Sequence, residues 1–351
     1  INSLVNNCVI YQVKNKKSNL VVEETCVHTV QKKLSDFVGE IFSKFDYIVF
    51  IMATGIVVRS IAPYIISKFS DPAILVMDEK GKNVISLLSG HIGGANSLTQ
   101  YISSLIDANP VITTATDINQ KASLDMIAKK LNAHIDNFRE SVKEVNSMLV
   151  NNKCVGLYVD EGYQVDTRGF KLIESKDELR DSFSNTYIEK LVVVSNKINC
   201  IEDIENLNLD NKFEHCYSTQ KIIKVIPRDI VIGIGCRRNT DSELMYNSLE
   251  EFLNKQNIDI RAINTVGSIE LKKDEKAIIE LSKILKVPFK TFSVDEISKV
   301  DNLFDKSDFV KKNVGVYSVA EPVAYLLSKG NLLVEKHKYK GITFSVGRIK
   351  I

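Results

Sequence analysis

Short, largely apolar, β-rich runs constrain this chain more than any other feature. Tyr47-Ile48-Val49-Phe50-Ile51-Met52 breaks at Thr54-Gly55, and Ala73–Met77, 84–87 and 111–113 repeat the pattern. Runs this uniformly apolar suit strands buried on both faces, which need a layer above and a layer below. Amphipathic stretches between the runs supply those layers. Ala95–Ile106 carries Leu98, Tyr101, Ile102, Leu105 and Ile106 at helical spacing, and 123–131 is a second such stretch. Strands alternating with helices predict an amino-terminal parallel-sheet α/β domain over residues 1–135.

From about residue 136 glycine thins out and charge rises. Runs such as Leu191-Val192-Val193-Val194 stand between long polar stretches, which suggests a middle α+β domain over 136–226. Pro227 marks the start of a carboxy-terminal α/β domain, 227–351. It opens on Asp229-Ile230-Val231-Ile232-Gly233-Ile234-Gly235, continues through a helix with Leu244, Leu249, Phe252 and Leu253, and closes with strands near Leu332 and Phe344. A length of 351 residues accommodates several cores of ordinary size.

Composition excludes several classes of function. Lys plus Arg number 46 against 44 Asp plus Glu, so no global basic field points to nucleic acid, and the expected ligand is a small molecule. Six cysteines, Cys8, Cys26, Cys154, Cys200, Cys216 and Cys236, form no CxxC pair. That fits neither a zinc site nor a disulfide framework, and a reducing cytoplasm is expected. No run approaches the roughly 18 apolar residues of a membrane span, and Ile1-Asn2-Ser3-Leu4 lacks the features of a signal peptide, so a soluble protein is expected.

Open α/β sheets bind ligands beyond the carboxyl ends of their strands, and three glycine-bearing segments follow such runs. In Ala53-Thr54-Gly55-Ile56-Val57-Val58-Arg59, Gly55 would let the chain turn and Arg59 would meet a carboxylate; a strand-to-helix turn with a solvated arginine explains the segment equally well. Ser89-Gly90-His91-Ile92-Gly93-Gly94-Ala95-Asn96 is the most informative stretch. Its glycines let backbone approach a ligand, a helix start offers N–H donors to an oxyanion, and an imidazole suits proton transfer near neutrality. A tight turn with a capping histidine is the alternative, and the excess of glycine favours function. Gly233-Ile234-Gly235-Cys236-Arg237-Arg238-Asn239-Thr240 lacks both the third glycine of a dinucleotide loop and a Walker lysine. Arg237 and Arg238 form either a carboxylate site or a solvated pair, and Cys236 has no histidine partner nearby to make it a nucleophile.

Lesser candidates remain. Thr113-Thr114-Ala115-Thr116-Asp117 offers hydroxyls and one carboxylate to a polar substrate edge, or to the cap of the next helix. In Lys272-Lys273-Asp274-Glu275, Asp274 reads as an N-cap and the lysines as groups free for anions, with a solvated helix entrance the preferred reading. Glu321 in Ser318-Val319-Ala320-Glu321-Pro322 opens an apolar helix, whose dipole would favour its ionised form, and the alternative is only a cap. His28, His134, His215 and His337 show no metal-ligand spacing and read as structural or surface residues.

Taken in order, Thr54–Arg59, Leu88–Asn96, Thr113–Asp117, Gly233–Arg238 and Ser318–Pro322 resemble the signature series of the cobalt-precorrin-5A hydrolase (CbiG) family over almost the whole chain. The SGHxGGAN stretch is highly specific; GIGCRR is shared with related carboxy-terminal domains of the aerobic pathway. Asn239 stands where the family pattern has glycine. The resemblance implies a hydrolase of anaerobic cobalamin biosynthesis that opens the ring A δ-lactone of cobalt-precorrin-5A and releases acetaldehyde. It implies His91 as general base, Asp117 and Glu321 as further catalytic groups, and N–H groups around Gly93 and Gly94 as oxyanion donors. Arg59, Arg237 and Arg238 become carboxylate clamps, with Thr54, Gly55, Ser89, Gly90, Asn96, Thr113, Thr114, Gly235 and Lys273 as further substrate-binding residues. It implies no cofactor of the protein's own, cobalt being carried by the corrinoid substrate. It implies no nucleic-acid or membrane partner, and leaves room for a homodimer and for transient contact with neighbouring methyltransferases. Two rivals compete with it: a non-catalytic corrinoid carrier using the same loops, and a nucleotide-dependent transferase.

Overall fold

The structure is a computed structural model that describes residues 8–13, 27–175, 188–200 and 222–351. His215, Cys26 and Cys216 lie outside the described residues. The chain divides into two compact units, Ile1–Lys121 and Ala122–Ile351.

In the first unit β1 (Ile10–Val13) pairs in parallel with β2 (Val27–Val30), and α1 (Leu34–Ile41) leads into a separate four-stranded sheet. Its order is β3 (Tyr47–Ile51), β4 (Ala73–Met77), β5 (Asn83–Leu88), β6 (Asn109–Val111). α2 (Thr54–Ile61) follows β3, α3 (Ala95–Ile106) joins β5 to β6, and α4 (Ala115–Ile118) follows β6. The wholly apolar run of β4 is explained by burial on two sides. Ile74 and Val76 share a core with Ile48, Phe50 and Val57, while Ala73, Leu75 and Met77 share another with Val84, Ala95 and Ile102.

The strands are parallel within β3–β4 and within β5–β6, but β4 and β5 run antiparallel. The 78–82 connection is far too short for a crossover. Asp78 closes it by accepting from the backbone N–H groups of Lys80, Lys82 and Asn83, with Gly81 at φ +64°. The reversal separates the strand ends. Ile51 pairs with Met77 and Met77 with Val84, whereas Leu88 lies opposite Ile74 and Val111 opposite Ile85. The loops after β5 and β6 therefore share one end of the sheet, and the loop after β3 lies at the other. β6 also ends at Val111, earlier than the expected 111–113 strand, leaving Thr113 and Thr114 beyond it.

The second unit begins with α5 (Leu124–Lys130) and α6 (Phe138–Val150), which cover a parallel sheet of order β10 (Ile222–Val225), β9 (Lys190–Val194), β7 (Val155–Val159), β8 (Lys171–Ile173). Leu124, Ile127 and Leu131 share their core with Val145, Leu149, Leu157 and Val192. Packing of α5 thus carries the second unit back to Ala122, ahead of the boundary expected at 135/136.

A five-stranded sheet follows, in the order β13 (Phe289–Phe292), β12 (Ile263–Ile269), β11 (Ile230–Cys236), β15 (Ile342–Arg348), β14 (Leu332–Tyr339). β11, β12 and β13 are parallel, and β15 is antiparallel to β11 and β14. α7 (Ser242–Lys255) and α8 (Lys276–Leu285) pack into its main core through Met245, Leu249, Phe252, Ala277, Ile278 and Leu281. α11 (Ala320–Leu327) is preceded by α9 (Val294–Ser298) and α10 (Asp308–Val314), and it settles onto a track of glycines. A Cβ on Gly233 would lie 1.9 Å from the Ala320 carbonyl oxygen, one on Gly267 2.8 Å from Val323 and Leu327, and one on Gly347 2.8 Å from the Ala324 oxygen.

Buried polar groups fasten the two sheets of this unit together. Asp229, 1% exposed, accepts from Tyr163 Oη at 2.9 Å, Asn196 Nδ2 at 3.0 Å and Arg348 Nε at 2.6 Å. Burial and the Asp229 charge push the Tyr163 hydroxyl far above its ordinary range. Lys224 Nζ pairs with Asp259 at 2.9 Å, and Arg261 adds a second cation to that carboxylate. Burial alone would raise the Asp259 carboxyl, but the bonds from Arg261 and Lys224 outweigh it and bring the group down to about 2. Among the described residues no helix is long and apolar enough to cross a membrane.

Candidate active site in the first unit

The 89–96 loop joins β5 to α3 through unusual backbone conformations: Ser89 has φ +57° and Gly94 φ +90°. Gly94 is the residue type this geometry favours. Gly90 and Gly93 answer to space. A Cβ on Gly90 would lie 2.7 Å from Asn96 Oδ1, and one on Gly93 2.6 Å from the Ser89 carbonyl oxygen. The loop closes on itself as Gly94, Ala95 and Asn96 donate their N–H groups to the carbonyls of His91, Ser89 and Gly90 at 3.0, 3.2 and 3.0 Å. The buried Ser89 hydroxyl donates to the Asp71 carbonyl at 3.0 Å. Ser89, Gly90, Gly93 and Gly94, expected as substrate contacts, thus shape the loop. The Gly94 N–H, expected as an oxyanion donor, is already committed.

His91 is what this loop displays. Its Nε2 lies 2.8 Å from Asp117 Oδ2 and 3.0 Å from Thr116 Oγ1. A carboxylate only accepts, so Nε2 carries the hydrogen, and in the neutral ring the lone pair is on Nδ1. Asp117 is also held by Asn96, whose Nδ2 donates to Oδ2 at 2.8 Å and to Thr114 Oγ1 at 3.0 Å. The side chains of His91 and Asp117 are 16% and 33% exposed. A carboxylate that orients an imidazole and stabilises its protonated form is the base–orienter arrangement of general-base catalysis. The structure brings together His91, Asn96, Thr114 and Asp117, all singled out in the sequence, because the loops after β5 and β6 share a sheet end. Thr113 is exposed next to them.

Thr54, Gly55 and Arg59 belong to the opposite end of that sheet. Gly55 lies within the first turn of α2, and the turn is made by Ala53 in extended conformation, φ −60° and ψ 129°. Arg59 Nη1 folds back to the Gly55 carbonyl at 3.1 Å.

The remaining candidates lie in the second unit. Glu321 is 4% exposed. It accepts from Ser318 Oγ at 3.2 Å and the Lys336 N–H at 3.3 Å, and it pairs with Lys336 Nζ at 3.3 Å. It fastens α11 to β14, with both carboxylate oxygens engaged. Arg238 donates to Asp274 at 2.7 Å and to the Leu271 carbonyl at 2.7 Å, and the N-cap position expected for Asp274 is filled by Glu275. Arg237 has no side-chain partner among the described residues. Asn239 adopts φ +56°, the left-handed conformation a glycine would supply, so the departure from the family pattern preserves the loop. A Cβ on Gly235 would meet nothing closer than 3.7 Å, so packing does not demand this glycine. Lys273 is exposed, whereas its neighbour Lys272 is buried against Glu275 at 3.3 Å. Burial pushes the Cys236 thiol up, against any role as a thiolate. Among the described residues no group of three or more His, Cys, Asp or Glu side chains is placed to hold a metal ion.

One participant escaped the sequence reading, Ser86, whereas Thr116 lies within the Thr113–Asp117 segment singled out there for its hydroxyls. Ser86 Oγ donates to Asn96 Oδ1 at 2.6 Å. A signal existed: Ser86 sits in phase with the fully buried Val84 on β5, a polar residue on a core-facing side of a strand.

Comparison with known proteins shows the family. Three family models match in series: Cobalamin synthesis G N-terminal over residues 36–117, Cobalamin biosynthesis central region over 122–209, and Cobalamin synthesis G C-terminus over 230–347. The cobalt-precorrin-5A hydrolase of Salmonella typhimurium is 41% identical over 311 residues, spanning 87% of this chain and 83% of that relative. The cobalt-precorrin-5A hydrolase of Priestia megaterium is 30% identical over 314 residues, spanning 88% of this chain and 80% of that relative.

Proposed function

The chain belongs to the cobalt-precorrin-5A hydrolase (CbiG) family, and from that premise we propose how it performs hydrolysis in cobalamin biosynthesis. His91 acts as general base toward water, taking its proton on Nδ1 while Asp117 holds Nε2–H and stabilises the imidazolium. The activated water attacks the carbonyl of the ring A δ-lactone. The meso oxygen leaves the acyl carbon and recovers a proton from His91, giving a free acetate side chain and a meso alcohol. The meso alcohol then returns its hydroxyl proton to His91 Nδ1 as the carbon–carbon bond breaks, the methyl-bearing meso carbon departs as acetaldehyde, and the corrinoid accepts the electron pair of the broken bond. Cobalt belongs to the substrate in this reading, and the reaction needs no cofactor of the protein's own. The anaerobic pathway and a reducing cytoplasm are its setting.

The observation that supports this reading is the 2.8 Å His91–Asp117 contact, displayed on a loop whose glycines are consumed in shaping it. Its test is anaerobic incubation with cobalt-precorrin-5A, following acetaldehyde and corrinoid mass together, for wild type and His91→Ala. The expected result is acetaldehyde from wild type and a loss of about 1,000-fold or more in the variant. Tight corrinoid binding without acetaldehyde from wild type would support a carrier instead.

A further inference from the structure

We infer that Ser86 is a positioning residue of the hydrolase, acting on His91 through Asn96 and Asp117. The inference rests on the proposed role of His91. It begins with Asn96, which is 6% exposed and has every polar atom committed: Oδ1 accepts from Ser86 at 2.6 Å, and Nδ2 donates to Asp117 at 2.8 Å and Thr114 at 3.0 Å. An amide can rotate to exchange its oxygen and nitrogen, and in that flipped state its oxygen would confront Asp117, which can only accept. Asp117 thus selects which amide atom faces it, and Ser86 fixes the place of that amide from the far side by giving Oδ1 its hydrogen bond.

The same Asp117 oxygen that receives the Asn96 bond receives His91 Nε2, so displacement of the amide is transmitted to the imidazole across a single atom. The loop is built around this side chain. Gly90 leaves the room Asn96 occupies, since a Cβ there would lie 2.7 Å from Oδ1 and 3.1 Å from Nδ2. A strand residue, a loop glycine and a helix residue thus converge on one amide, whose remaining polar contacts lead to the candidate base and its partner.

Two readouts separate positioning from mere support of the fold. The first is the kcat and KM of Ser86→Ala and Ser86→Thr beside His91→Ala. Ser86→Ala is expected to lower kcat about 10- to 100-fold with KM unchanged, and Ser86→Thr, which keeps the hydroxyl, to restore most of it. The second is the imidazole nitrogen-15 spectrum of His91 in the free enzyme. Wild type is expected to show the Nε2–H tautomer alone, and Ser86→Ala a mixture. Should Ser86→Ala not fold, Gly90→Ala, which displaces the same amide, is expected to give the same loss of kcat and the same mixture. Wild-type kcat and an unmixed tautomer in Ser86→Ala, with His91→Ala inactive, would overturn the inference and leave the proposed base standing. A higher KM at unchanged kcat would overturn it as well, since it would mark a substrate contact. An active His91→Ala would instead remove the proposed base, and the relay with it.

Discussion

Two glycine-bearing loops, 89–96 in the first unit and 233–240 in the second, look alike as sequence and do different physical work. In the first, Gly90 and Gly93 make room for the loop's own atoms and Gly94 supplies a left-handed turn, and the result is a half-buried histidine held by a carboxylate. In the second, Gly233 lies beneath a helix, Arg238 is paired with Asp274, and Glu275 fixes the Thr240 N–H. Glycine beside charge therefore does not by itself mark a site. What distinguishes the loops is whether the polar groups converge on a titratable side chain or are spent holding elements together.

The largest expected effect that would break this contrast is on stability. Gly233→Ala drives a methyl group into the Ala320 carbonyl and should cost about 3 kcal/mol or more in denaturant unfolding, whereas Gly235→Ala should cost less than about 1 kcal/mol. Equal costs would mean that α11 can shift and that the glycine track is not what seats it.

The next is the acid sensitivity of the second unit. The Asp259 carboxyl is depressed to about 2 from an ordinary 3.8, so its contribution is present above the unfolded value and is lost as pH falls through the folded one. That is worth about 2 kcal/mol, lost progressively between about pH 4 and pH 2. Amide exchange along β12 in the full chain should follow this loss, and its pH slope should flatten in Asp259→Asn. An unchanged slope in the variant would assign the acid sensitivity to other carboxylates.

The smallest effect sharpens the contrast within one loop. If Arg237, without a side-chain partner among the described residues, is a corrinoid clamp, as the resemblance implies, Arg237→Ala should weaken corrinoid binding about 10-fold, the loss of one carboxylate contact. Arg238→Ala, whose guanidinium is taken by Asp274 and Leu271, should leave binding unchanged in titration.

Much of this was available before any coordinates. The two-faced burial of Ala73–Met77 follows from an unbroken apolar run, and His91 and Asp117 were identifiable as reactive types after strands. What the sequence withheld was direction. A five-residue turn reverses β5 against β4, and that reversal moves Thr54, Gly55 and Arg59 to the far end of the sheet from His91. The partner of Glu321 was hidden for a related reason: Lys336 lies on a strand that only the tertiary fold brings near. Ser86 was hidden because one serine among apolar residues looks solvent-facing until the strand's phase is set by Val84.

The central claim is that His91 and Asp117 act as one unit, and a double-mutant cycle on kcat tests it most directly. His91→Ala should lose about 1,000-fold and Asp117→Asn about 100-fold, with the double variant no worse than His91→Ala alone, because an orienting carboxylate has nothing left to orient. Losses that multiply in the double variant would show the two residues acting independently and would contradict the account.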